Sequence, residues 1–259
     1  MADETTSYLL AGQASELERL QLQSRVWEPS GKALLAELPE GAGRRALDVG
    51  CGVMGWLRVL SAWVGPHGEV VGSDIDAKMR TGAEAFIGGE GLANVSVVED
   101  DLFASRLPPA SFDLVHARFQ IAPLGRADAQ LAAHRRLLRP GGTLVLEEPD
   151  LASWRINPEG PATHALIALI ERGFCAAGGD FNAGRGLPAL LRNAGLTPQV
   201  RARIVALEPG HPYLRLPLQF ANALRPRLEA LVAPSELAAL LEQVETELAD
   251  PQTWGRRSR

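Results

Sequence analysis

Cysteine is nearly absent from the chain: Cys51 and Cys175 are its only two thiols. A pair so far apart excludes a disulfide framework and fits a reducing cytoplasm, the expected location. An excess of positive charge is missing too, since 26 Lys and Arg face 31 Asp and Glu for a net charge of −5. A phosphate backbone calls for a basic face, so a nucleic-acid partner is not expected. The arginines of the terminal Gly255 to Arg259 read as a solvated tail. No apolar run approaches the ~20 residues of a membrane span, so no membrane partner is expected. The acidic, polar opening MADETTSY lacks the basic-then-apolar order of a signal peptide. Internal repeats and low-complexity tracts are also lacking.

The chain is 46% hydrophobic over 259 residues, enough for a full core in one α/β domain with an added helical cap. Ahead of residue 40, ASELERLQLQSRVWEPSGKALLAEL predicts two helices, with Leu17 and Leu20 on one face and Pro29 starting the second. Alternation then takes over. Strands are predicted at Arg45 to Val49, Glu69 to Ser73, Val95 to Glu99, Phe112 to His116 and Thr143 to Glu148. Helical spacing falls between them at Gly55 to Val64, Ala77 to Ile87 and Ala127 to Leu138. Strands separated by helices imply a mostly parallel, doubly wound sheet with helices on both faces.

After Pro149 the pattern loosens. Thr163 to Ala177 and Leu187 to Ala194 read as helices and Gln199 to Leu207 as a strand. Tyr213 to Leu248 reads as two or three helices broken at prolines. The expected organisation is an N-terminal helical lid over 1–40, a cofactor-binding core over 41–150, and a region over 151–259 that completes the sheet and carries a substrate-side helical insertion.

The stretch ALDVGCGVMGWLRVL holds Gly50, Gly52 and Gly55 in Gly-x-Gly-x-x-Gly spacing at the end of the first strand. Glycines there let backbone approach a ligand, and the next helix aims amides at an anionic group. Asp74 ends the second strand nineteen residues beyond Gly55, where a carboxylate accepts ribose hydroxyls. A nicotinamide-binding protein has one in the same place, so Asp74 indicates a ribose and not its carrier. Asp48, two residues before Gly50, discriminates: it repels a pyrophosphate and welcomes a cation.

Further on, Asp100-Asp101-Leu102 follows the third strand, Phe112-Asp113-Leu114-Val115 forms the fourth, and Arg139-Pro140-Gly141-Gly142 turns into the fifth. With DVGCG and Asp74, these residues resemble the class I S-adenosylmethionine-dependent methyltransferases, in particular the ubiquinone-biosynthesis-like branch that includes natural-product enzymes. The resemblance spans Tyr8 to about Asp150. It implies a Rossmann-like fold, S-adenosylmethionine as cofactor and S-adenosylhomocysteine as product. It further implies Asp48, Gly50, Cys51 and Gly52 at the amino-acid end, Asp74 at the ribose, Ile75, Asp101 and Leu102 at the adenine, and Ala117 and Arg118 beside the methionine. Tyr8 and the first helix resemble the lid. The chain departs from the family at Met54, where glycine is usual, and at Pro123, where many relatives have histidine. It supplies only the end of the long C-terminal strand, at Thr253 to Arg257.

Methyl transfer is an in-line displacement in which alignment does most of the work. Where the acceptor must lose a proton, Glu148 and Asp150 are the first candidates for a base, because strand-five ends open onto the substrate side, and His116 is the next. No metal is expected. Trp154, Phe174, Phe181, Tyr213 and Phe220 are candidates for an aromatic pocket, with core packing as the competing role. The expected substrate is a small, hydrophobic or aromatic metabolite methylated at oxygen, nitrogen or carbon, as in secondary metabolism, by a monomer or homodimer. Two rivals stand beside it: a catalytically silent binding protein of the same fold, and a NAD(P)-dependent oxidoreductase.

Overall fold

A computed structural model describes residues 14–258, with side chains over 19–256. The described chain forms two compact units. Tyr8 lies outside the described residues.

The first unit comprises Leu20–Gln120 and Arg126–Glu147. Its elements are the larger part of α1 (Ala14–Ala36), β1 (Arg45–Val49), α2 (Leu57–Val64), β2 (Glu69–Asp74), α3 (Ala77–Glu90), β3 (Val95–Glu99), β4 (Phe112–Arg118), α5 (Ala127–Leu137) and β5 (Leu138–Glu147). Five parallel strands lie in the order β3-β2-β1-β4-β5. The order reverses between β1 and β4, and in such sheets ligands bind beyond the carboxyl ends of the strands at that reversal. Successive strand residues point to opposite faces. Ala46 and Leu114 therefore pack with Trp56, Leu57 and Leu60 of the α2 side, whereas Leu47, Val49, Val115 and Ala117 pack with Leu137 of α5.

Two local expectations change. α1 is one helix, with Pro29 inside it and not at the start of a second. A proline removes one helical hydrogen bond at a cost of ~3 kcal/mol. Burial of Trp27 and Leu35 on either side and the pairing of Glu28 with Arg58 and Lys32 hold the helix through it. The Pro-Gly-Gly segment does not precede β5 but lies within it as a bulge: Phe112 faces Leu138, and the next paired residue, Leu114, faces Thr143.

The second unit contains Ile121–Gly125 and the chain from Glu148 onward, grouped with the start of α1. It holds α4 (Ile121–Leu124), β6 (Asp150–Asn157), α6 (Pro161–Ala176), α7 (Ala183–Asn193), β7 (Ile204–Leu207), α8 (Leu216–Ala223), α9 (Arg225–Leu228), α10 (Pro234–Ala249) and β8 (Trp254–Ser258). Its strands do not extend the parallel sheet. They form an antiparallel sheet of their own in the order β6-β8-β7. The arginine-rich terminus, expected as a solvated tail, is thus the central strand. Gly255 fits there because a Cβ would lie within 2.4 Å of Leu214. β7 occupies only the end of the strand expected from Gln199, and β6 was not foreseen.

The proposed aromatic pocket is core. Phe174, Phe181 and Phe220 meet tilted or edge-to-face with ring centroids 4.1 to 6.3 Å apart, and they are buried, as are Trp154 and Tyr213. Edge-to-face packing of this kind is favourable between aromatic rings. Among the described residues no helix is long and apolar enough to cross a membrane.

Candidate active site

The glycine turn leaves β1 with Gly50, Gly52 and Gly55 all at positive φ. Two of them have no room for a side chain: a Cβ at Gly50 would sit 1.9 Å from the Gln120 amide nitrogen, and one at Gly55 would sit 2.1 Å from Asp48 Oδ2. Gly52 is different, its nearest neighbour in that direction being Leu20 at 3.8 Å. Among the described residues the turn is therefore tight on its inner side and open at Gly52. Met54, the departure from the family's glycine, is itself buried.

β2 braces the turn. The Cys51 amide donates to the Ser73 carbonyl at 3.0 Å. Asp74 Oδ2 accepts the Gly52 N–H and Oδ1 accepts the Asp76 N–H, each at 2.9 Å. Burial lifts the Asp74 carboxyl above its ordinary range, against the opposing pull of those two amides. Arg80 donates to the backbone carbonyls of Asp74 and Ile75 and pairs with Glu99, so α3 anchors the loop. The loop presents Ile75, 65% exposed, as an apolar surface next to Asp74. Asp101 caps a short 3-10 turn through the Phe103 N–H, and Leu102 beside it is half-buried. The sequence did not single out Arg80, whose only signal was its position one turn into the helix after Asp74.

Beneath the turn, Asp48, His116 and Glu147 form a polar row across β1, β4 and β5. Asp48 Oδ2 accepts the Trp56 N–H at 2.6 Å, and Oδ1 lies 2.7 Å from His116 Nδ1. His116 Nε2 reaches Glu147 Oε2 at 3.1 Å, and its ring stacks on Trp56 with centroids 3.9 Å apart. Asp48 is only 1% exposed and His116 is fully buried. Both thus act on the turn from inside, with both Asp48 oxygens engaged. Glu147 was missed in the sequence, although strand alternation puts it on the same face as His116 once β4 and β5 are neighbours.

Arg118 ends β4. One guanidinium nitrogen donates to Ser24 Oγ of α1 at 2.7 Å, while Nη1 is buried without a hydrogen-bond partner. Among the described residues no ion pair involves Arg118, and its neighbour Ala117 is buried. A cation in that state is set up for an anionic ligand group.

The two carboxylates first considered as bases belong to the second unit. Glu148 is buried, and its oxygens accept the N–H groups of Ile121 and Ala122 at 2.7 and 3.1 Å, holding the start of α4. Asp150 pairs with Arg185 at 2.8 Å. The structure brings His116 together with Asp48 and leaves Glu148 and Asp150 in separate contacts of their own.

Residues 46–142 match the methyltransferase domain family. Over these residues the chain is similar to a methyltransferase domain. A demethylmenaquinone methyltransferase of Geobacillus kaustophilus is 35% identical to this chain over 116 residues, 44% of this chain and 50% of that protein. A nocamycin O-methyltransferase of Saccharothrix syringae is 35% identical over 136 residues, 51% of this chain and 49% of the relative. The chain thus spans about half the length of these relatives. A SAM-dependent methyltransferase structure from Aquifex aeolicus superposes with a TM-score of 0.55 at 22% identity, covering 76% of this chain and 93% of the other. That likeness establishes the fold, and the match of the methyltransferase domain contains the glycine turn, Asp74 and the Asp48–His116 pair.

Proposed function

We propose that this protein transfers the methyl group of S-adenosylmethionine to a small organic acceptor. One observation carries the choice of cofactor: two carboxylates flank the glycine turn, Asp74 on the Gly52 N–H and Asp48 on the Trp56 N–H. Burial, then the charges of Asp48 and Asp74, push the Cys51 thiol well above its ordinary range. A pyrophosphate brought to that turn would add negative charge next to two carboxylates, whereas a sulfonium and an ammonium bring the opposite sign. This supports the methyl donor over a nicotinamide dinucleotide.

The residues present fit such a ligand. Among the described residues Gly52 leaves open space beside the Asp74 carboxylate, which has lone pairs left for ribose hydroxyls. Ile75 offers an apolar face for adenine, with Asp101 and Leu102 at the end of the next strand. The unpaired nitrogen of Arg118 suits the carboxylate of the amino-acid tail. When bound, the cofactor supplies an activated methyl carbon. The chain's part is to hold the donor in line and exclude water, which in well-oriented systems is worth ~7–11 kcal/mol. A base enters only for an acceptor that must lose a proton. Of the three candidates, Asp150 has the most exposed carboxylate, at 27%.

The acceptor is read from coarser signs. The acidic balance of the chain speaks against nucleic acid, and the names of the two relatives point to organic acceptors. A hydrophobic or aromatic small molecule fits both signs.

Calorimetric titration with S-adenosylmethionine, S-adenosylhomocysteine and NADH, with Asp74→Asn as control, tests the proposal. Binding of the first two that weakens at least about tenfold in the variant is the expected result, since hydrogen bonds to a charged group are at stake. Binding of NADH alone would overturn it. No binding of any of the three would favour a silent protein of the same fold.

A further inference from the structure

We infer that His116 is a positioning residue: held between Asp48 and Glu147 and stacked on Trp56, it fixes the carboxylate that shapes the glycine turn and thereby sets the affinity of the turn for its ligand. The inference rests on the proposed function for the identity of that ligand. It removes His116 from the candidate bases and gives the buried row a role.

The geometry makes the case. Asp48 and Glu147 accept hydrogen bonds and, when ionised, donate none. A ring with a carboxylate at each nitrogen, at 2.7 and 3.1 Å, satisfies both only by carrying both protons. Burial by itself would lower the imidazole, but Asp48 and Glu147 outweigh it and hold the ring above its ordinary range. The same Asp48 carboxylate accepts the Trp56 N–H, and the Trp56 ring covers His116. The contacts form a closed circuit that ties β1, β4 and β5 to the residue preceding α2. Gly55 packs against Asp48 too closely for a side chain, and the Asp48 carboxylate holds the Trp56 N–H at the end of the turn, so the position of that carboxylate bears on the turn.

The groups that face His116 are Asp48 from β1, Glu147 from β5 and the neutral Trp56 ring ahead of α2, and His134 from α5 feels its charge. His134 has neither ring nitrogen hydrogen-bonded, and burial and then the His116 charge keep it neutral, with its pKa at about 4. Cys51, beside Asp48, stays a thiol. The His116 charge is therefore the only positive one in the row. Its pKa is raised, so its contribution is complete below 6.5 and is lost as pH rises through the folded-state value. Loss of the Nδ1 proton leaves the buried Asp48 carboxylate facing a lone pair and releases it from one side, and loss of the Nε2 proton does the same to Glu147.

The test uses the full chain with S-adenosylmethionine and a methylated acceptor where one is found, and S-adenosylhomocysteine otherwise. Nitrogen-15 NMR of the histidine rings should show His116 doubly protonated above pH 6.5, with its titration moved to lower pH in Glu147→Gln. His116→Gln should weaken ligand binding about tenfold, as for loss of a charge-assisted hydrogen bond, and raise the cofactor KM with less than about a threefold change in kcat. Glu147→Gln, the milder change, should do the same to a smaller degree. The alkaline fall in affinity seen for the unsubstituted protein should be absent in His116→Gln. A neutral His116 ring at pH 7, or a collapse of kcat at unchanged affinity, would overturn the inference. If the unsubstituted protein binds neither ligand, the functional reading fails by itself. The clamp is then judged by NMR and by melting: it stands if melting temperature falls through the ring's titration and that fall disappears in His116→Gln, and it falls otherwise.

Discussion

Replacing His134 by leucine should make the protein resist acid better. The side chain is fully buried in α5, and neither ring nitrogen has a hydrogen-bond partner. Burial is the main reason that its pKa drops from 6.5 to about 4. In the unfolded chain the ring takes up its proton near 6.5, so between that value and about 4 the unfolded state binds more protons than the folded one. The contribution to stability is present above 6.5 and is lost as pH falls. At 1.36 kcal/mol per pKa unit, the full loss is about 3 kcal/mol, of which about 2 kcal/mol has gone by pH 5. For a chain of this size ~1 kcal/mol corresponds to about 2–4 °C. Scanning calorimetry at pH 7.5 and pH 5 should therefore show a melting temperature that drops about 4–8 °C less in His134→Leu than in the unsubstituted protein. Comparing the two drops cancels the other titrating groups and any difference in packing. Equal drops in the two proteins would refute the reasoning and mean that His134 finds a partner or water in solution.

Glu148→Gln should cost about 1–2 kcal/mol of stability, because a charged acceptor shared by two amides is replaced by a neutral one; urea unfolding measures this. Turnover falling more than about a hundredfold with stability unchanged would instead restore Glu148 as a base. Arg80→Met should free the Asp74–Ile75 loop and weaken S-adenosylhomocysteine binding by about five- to tenfold, a change calorimetry resolves.

Much of the architecture was legible because it rests on local chemistry. Alternating apolar runs and helical spacing located β1 and β3 to the residue, and β2, α3, α5 and α6 closely. Helix and strand periodicities belong to short stretches of chain, so they survive without knowledge of the neighbours. Irregular cases were less legible. Pro29 reads as a helix start in isolation, yet burial on both sides of it holds α1 together. The Pro-Gly-Gly bulge reads as a turn because only pairing with β4 shows the strand continuing past it.

The glycine turn, the carboxylate at its mouth and the parallel α/β class were determined by the sequence itself, since each follows from spacing within a few dozen residues. Tertiary structure alone decided what the polar side chains do. Asp48 and His116 stand 68 residues apart, and only the placing of β4 against β1 turns them into a buried pair. The same non-local pairing puts the terminal arginine-rich segment at the centre of a sheet and makes Glu148 the cap of α4. A carboxylate or imidazole carries no local mark of its partner. Its proton, its burial and therefore its chemistry are set by whatever distant strand or helix folds against it.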